Sequence, residues 1–159
     1  MNIKAIIFDW GGTLVDDHMT EELPESEQVL DYCRGKGYRM AVASLTKYLE
    51  RRKAQFLTTP LNKFFEAMLG AEINKGEESD INLDKKNKMF DQIVQHFGLP
   101  RNEILIVDDR AFRGVMYGNK NGHPTVWIQK GKYANELPNA ETGQPTYTIH
   151  DLKELKDIL

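Results

Sequence analysis

Three short apolar runs in this 159-residue chain end on polar groups that could share one ligand. IKAIIF leads to Asp9, YRMAVAS ends at Ser44, and EILIV is followed by Asp108 and Asp109. A continuous apolar run such as IKAIIF reads as a strand buried on both faces of a parallel sheet. In an open parallel sheet, ligands bind beyond the carboxyl ends of the strands. Polar groups at three such ends can therefore converge on one pocket. Carboxylates that face one pocket repel unless a cation lies between them, and oxygen ligands favour Mg²⁺. The turn after Asp9 runs Trp10-Gly11-Gly12-Thr13 and is poor in side chains, so backbone groups there can approach a phosphate or a metal closely. A plainer account has each acid capping the helix after it. That account fits either strand alone better than it fits both strands with the glycine-rich turn.

The elements that must position these groups follow from the patterning. VLDYCRGKG places Val29, Leu30 and Cys33 at helical spacing and ends at Gly35 or Gly37. TKYLERRKAQF is a further helical stretch, TTPLNKFF a turn with a short helix, and EAMLGA a candidate for one more short strand. The polar stretch from Glu72 toward Lys88 reads as a surface loop. In KNKMFDQIVQHFG, Met89, Ile93 and Phe97 recur at i, i+4 and i+8, and Gly98 closes an amphipathic helix. A helix over Ala111 to Lys120, the strands TVWIQ and TYTI, and a final helix DLKELKDIL complete the pattern. Alternating strands and helices predict an α/β class: one Rossmann-like domain over residues 1–159, with a mostly parallel sheet of about five strands flanked by helices.

Composition narrows the function. The net charge is −3 with no basic block, which argues against nucleic acid or an anionic membrane as partner. The single cysteine, Cys33, rules out an intrachain disulfide, and a reducing cytoplasm is the expected location. No run approaches the roughly 20 apolar residues of a membrane span, and Met1 to Phe8 is too short for a signal peptide's apolar stretch.

FDWGGTLVD resembles the first motif of the haloacid dehalogenase superfamily, and ILIVDDR resembles that superfamily's last acidic motif. The strand ending at Ser44 matches the Ser/Thr motif between them, and the segments PTVWIQKGKYANELP and PTYTIHDLKEL also follow the family layout. The resemblance covers nearly the whole chain. It implies that Asp9 is a nucleophile forming an aspartyl-phosphate, which water then hydrolyses. It implies Mg²⁺ held by Asp9, the Gly11 carbonyl and Asp109, with Asp108 able to reach the metal as well. It also implies that Ser44 hydrogen-bonds a phosphate oxygen. A family lysine opens the helix before the last acidic strand: Lys86 is the first choice and Lys85 the reserve, while a solvated run of Lys85, Lys86 and Lys88 is the plainer alternative. The position used by many capped relatives is Asp84.

The pattern breaks in two places. Phosphatases of the family carry a second Asp two residues after the nucleophile, as general acid and base, and this chain has Gly11. Asp16, Asp17 and His18 are the candidates to replace it. Relatives also carry an acid four or five residues after the position of Asp109, where this chain has Arg113 and Gly114. Arg110 could grip an anionic substrate or pair at the surface. Neither gap between motifs holds a substantial cap domain. The expected function is thus a capless, Mg²⁺-dependent hydrolase of a phosphorylated small molecule or macromolecule, with activity weakened at Gly11. The alternatives are a weak or inactive phosphate-binding protein and an aspartate-nucleophile hydrolase of a carbon–halogen or carbon–phosphorus bond. The sequence leaves the oligomeric state open.

Overall fold

In the computed structural model, residues 1–16, 21–76 and 79–159 are described, with the side chains of Ser79 and Asp80 left aside. Six strands, β1 (Ala5–Phe8), β2 (Arg39–Thr46), β3 (Ala67–Glu72), β4 (Ile104–Asp108), β5 (Thr125–Ile128) and β6 (Tyr147–Ile149), form one sheet. Its order is β3-β2-β1-β4-β5-β6, and every pairing is parallel. Five α-helices flank it: α1 (Ser26–Gly35), α2 (Leu49–Thr58), α3 (Ser79–Phe97), α4 (Met116–Asn121) and α5 (Leu155–Ile158).

Strand alternation feeds two cores. Ile6 and Phe8 of β1 pack with Leu30 of α1, Phe56 of α2 and Leu155 of α5. Ala5 and Ile7 pack on the other face with Phe90, Ile93 and Phe97 of α3 and Tyr117 of α4. Burial on both faces explains why the central strands are continuous apolar runs. β1 is central, and its last residue, Phe8, is level with Val42 of β2 and Val107 of β4. This register brings Asp9 and Asp108 to the same edge of the sheet.

The sheet has six strands: the five expected and EAMLGA, the candidate for one more, which forms β3 at the sheet edge. The structure departs from the sequence expectation in three elements. Helix α3 begins at Ser79, inside the stretch expected to be loop. Its first turns carry no apolar stripe; Ile81 is exposed, and an i,i+4 pair between Asp84 and Lys88 supports the polar face. Strand β2 continues through Thr46, so Ser44 lies two residues before its end. The helix expected over Ala111 to Lys120 is a π-helical turn, Ala111–Val115, followed by α4. Among the described residues, β2 and α3 are joined only by α2, a 3₁₀ turn at Pro60–Phe64 and β3, so no large cap covers the sheet edge.

Candidate active site

Asp9 leaves β1 with its backbone N–H on the Val107 carbonyl, 2.9 Å away. The chain then turns: the amides of Thr13, Leu14 and Val15 all converge on the Trp10 carbonyl. Gly12 sits at φ +77°, which a side chain rarely tolerates, whereas Gly11 is not among the positive-φ glycines. Gly11 lines the same pocket as Asp9, a cavity of about 310 Å³ at the carboxyl edge of the sheet.

Lys86 reaches this edge from α3. Its Nζ donates to Asp9 Oδ1 at 2.5 Å and to the Ala43 carbonyl at 2.7 Å, and lies 3.8 Å from Asp108 Oδ2. The side chain is 0% exposed. A buried ammonium is costly unless paired and hydrogen-bonded, and these partners supply both. The three candidate lysines separate cleanly. Lys85 donates to the Glu72 carbonyl at 2.8 Å, Lys88 is exposed and pairs with Asp84, and Lys86 alone is buried against Asp9. Helical spacing carried the signal. Lys86, Phe90, Ile93 and Phe97 form one buried stripe at i, i+4, i+7 and i+11. Lys86 lies within α3 rather than opening it.

Asp108 is fixed by two backbone donors. The Arg110 N–H bonds Oδ1 at 2.9 Å and the Gly114 N–H bonds Oδ2 at 3.0 Å. A Cβ on residue 114 would lie 2.5 Å from Asp108 Oδ2, so only glycine lets this backbone come close enough. Gly114 therefore supports the carboxylate from the main chain, at one of the two positions where the resemblance has an acid and this chain does not. Burial, then the charge of Asp9, pushes the Asp108 carboxyl up to about 6, with Lys86 opposing.

Asp109 is less well satisfied. Its Oδ2 is buried without a hydrogen-bond partner among the described residues, although its carbonyl accepts from Trp127 Nε1 at 3.0 Å. Burial, then the charges of Asp9 and Asp108, pushes its carboxyl up to about 9. Asp9, Asp108 and Asp109 each present an oxygen within 4.8 Å of the others. An orphaned oxygen among three clustered carboxylates fits a hard divalent cation.

Ser44 is buried at 1% exposure, and its Oγ accepts a hydrogen bond from the Arg52 guanidinium of α2. Thr46, two residues further on, lines the pocket instead. Arg52 is itself 3% exposed; burial lowers its pKa while the charge of Asp9 raises it. The sequence reading passed over Arg52 because ERRK resembles a solvated run. Its i,i+4 spacing to Phe56 on the buried face of α2 was the available clue. Arg110 pairs with Glu136 at 2.7 Å and stacks on Tyr133, so it is bound at the rim rather than free for a ligand. Asp16 meets the Glu21 amide at 3.4 Å and does not line the pocket. Asp17 and His18 lie outside the described residues.

Comparison with known proteins finds partial matches to this chain. Residues 85–155 match the HAD-hydrolase-like family model. The chain is 27% identical over 139 residues to an Arabidopsis thaliana phosphatidylglycerophosphate phosphatase 1, covering 84% of this chain and 36% of that protein. It is 28% identical over 141 residues to a glyceraldehyde 3-phosphate phosphatase of Pyrococcus furiosus, covering 87% of this chain and 54% of that protein. The chain thus spans about a third to a half of the length of these curated relatives. A dehalogenase crystal structure superposes with a TM-score of 0.74 at 16% identity, covering 99% of this chain and 97% of the other. At that identity the match speaks for the fold alone.

Proposed function

We propose that this chain, a haloacid dehalogenase-superfamily domain with no large cap, is a Mg²⁺-dependent phosphatase that uses Asp9 as its nucleophile. The observation that carries the reading is the meeting of Asp9, Asp109 and Lys86 at one sheet edge, with Asp109 Oδ2 left without a partner among the described residues. Asp9, Asp109 and the Gly11 carbonyl would hold the cation, and Asp108 would back them from its two amide bonds. The cation would offset the repulsion between carboxylate and phosphoryl group and stabilise the charge on the transferring oxygens.

In this reading Asp9 attacks phosphorus, the ester oxygen leaves, and an aspartyl-phosphate forms on Asp9. Water then attacks the same phosphorus and releases inorganic phosphate and the original carboxylate. Lys86 holds Asp9 in place and lends positive charge to the phosphoryl oxygens. Ser44, accepting from Arg52, keeps its own O–H proton to donate. The expected substrate is a phosphorylated small molecule, in keeping with the names of the two curated relatives. The free thiol of Cys33, buried in the core, accords with a reducing compartment such as the cytoplasm. Among the described residues, no helix is long and apolar enough to cross a membrane. A panel of phosphate monoesters, assayed with Mg²⁺ and with a chelator, tests the reading: turnover should require the metal.

One observation favours a second reading. Gly11 lines the pocket beside Asp9 and offers no proton. General acid–base help is worth about 10²–10⁴ in rate, so a phosphate-binding protein with weak or no turnover is the alternative. The same panel separates the two, because the binding protein would take up phosphate without turning over any ester.

A further inference from the structure

Two cations of the pocket make no ion pair or hydrogen bond among the described residues. Arg113, half-buried in the π-helical turn, lines the cavity that holds Asp9 and Asp109. Among the described residues its guanidinium enters no ion pair or hydrogen bond. Lys47, exposed in the turn after β2, lines the same cavity and is also unpaired among the described residues. Arg110, by contrast, is held by Glu136, and Lys132 already has an interaction.

Arg113 also borders a second cavity of about 400 Å³, walled by apolar Ile73, Leu83, Phe112 and Met116 and by polar Asn82, Arg110 and Glu141. Ile73, Arg110 and Arg113 are common to both cavities, so the two adjoin. A phosphoryl group seated at Asp9 fills only part of the first, and Arg113 stands where that cavity continues into the second. An uncharged body laid over a half-buried guanidinium would strip its water and return nothing, whereas an anion would form a charge-assisted pair. With no large cap to enclose a substrate, such a pair supplies the holding contact.

We infer that Arg113, with Lys47 at the rim, forms a subsite for a second anionic group, so that the substrate is a phosphate monoester also carrying a carboxylate or another phosphate. The inference rests on the phosphatase reading for its orientation, but its test needs no turnover. Calorimetry with saturating Mg²⁺ would compare two non-hydrolysable probes, 4-(phosphonomethyl)benzoate and 4-(phosphonomethyl)benzamide, which differ by one charge. The wild-type protein should bind the benzoate about ten- to a hundredfold more tightly, the range expected for a hydrogen bond to a charged group. Arg113→Ala should bring that ratio close to one, and Lys47→Ala should lower it about threefold, as for an exposed pair. Lys47 is exposed, so its variant decides the matter even if Arg113→Ala does not fold. Equal wild-type affinities, no binding of either probe, or a ratio unchanged in the folded variants would overturn the subsite. If Arg113→Ala weakens both probes alike, the guanidinium grips the phosphoryl group instead, and the second-anion claim fails. If the ratio behaves as expected while no ester is hydrolysed, the subsite stands and the phosphatase reading falls.

Discussion

Lys86 Nζ lies 2.5 Å from Asp9 Oδ1, in a pair whose lysine side chain has no exposed surface. Breaking a buried pair leaves an uncompensated charge, at a cost on the order of 3–5 kcal/mol. Lys86→Met should therefore destabilise the metal-free protein by about that amount in urea unfolding. Added Mg²⁺ should return part of the loss, because a cation at the carboxylates takes over some of the lysine's charge. Turnover should fall by about 10²–10³. A fully stable, fully active variant would remove Lys86 from the account.

Asp109 is predicted to weaken the metal-free fold as pH rises. Its carboxyl is raised to about 9 in the folded protein, from the ordinary 3.8. Between those values the folded state holds a proton that the unfolded state has released, so stability falls as pH increases. The contribution of Asp108 is complete by about pH 6, where its own raised pKa lies. Metal-free wild-type protein should thus lose stability between about pH 6 and 9, on the order of 1–3 kcal/mol. Asp109→Asn should flatten that decline and be the more stable protein at pH 8. It should also lose the rise in melting temperature that Mg²⁺ gives the wild type. Thermal unfolding across pH, with and without Mg²⁺, reads both effects.

Gly11→Asp should restore a general acid. Gly11 is not at positive φ, so its backbone does not exclude a side chain on that ground. Alkyl phosphates have poor leaving groups and need protonation more than aryl phosphates do. The variant should gain about 10² in kcat/KM on an alkyl phosphate and much less on an aryl phosphate. A folded variant that gains on neither would assign the weakness elsewhere.

Arg52 and Ser44 should act as one unit. Ser44→Ala and Arg52→Met should each lower kcat by about tenfold, the value of one hydrogen bond to a charged group. The double variant should be little worse than either single one, because the same contact is lost only once. Arg52→Lys should recover part of the activity. Additive losses would show that the two residues work separately.

Much of the fold was legible because the sheet is buried on both faces. β1, β2 and β4 appear as unbroken apolar runs, and the acids at their ends stand out against them. β3 was harder to read, since an edge strand is half-buried and carries a weaker pattern. The start of α3 was missed because its first turns bury no apolar stripe: Ile81 is exposed among polar neighbours, and helix formation there does not depend on such a stripe. In the site, the meeting of Asp9 with Asp108 and Asp109 follows from strand ends and register. The burial of Lys86 could be read only by extending the helical spacing from Phe90 back into a charged run. Arg52 and the amide support from Gly114 were hidden for a different reason. One depends on the buried face of α2 and the other on how close a backbone comes to Asp108, and neither is written in residue type alone.

The central claim is that Asp9 carries the phosphoryl group. The most direct measurement is to mix the Mg²⁺-loaded protein with an aryl phosphate, quench in acid, reduce with borohydride and map the product by mass spectrometry. Reduction of an acyl phosphate on aspartate gives homoserine, so the account predicts homoserine at position 9. It also predicts no such product, and no turnover, from a folded Asp9→Asn variant. Turnover retained by that variant, or a trapped residue at any other position, would contradict the account.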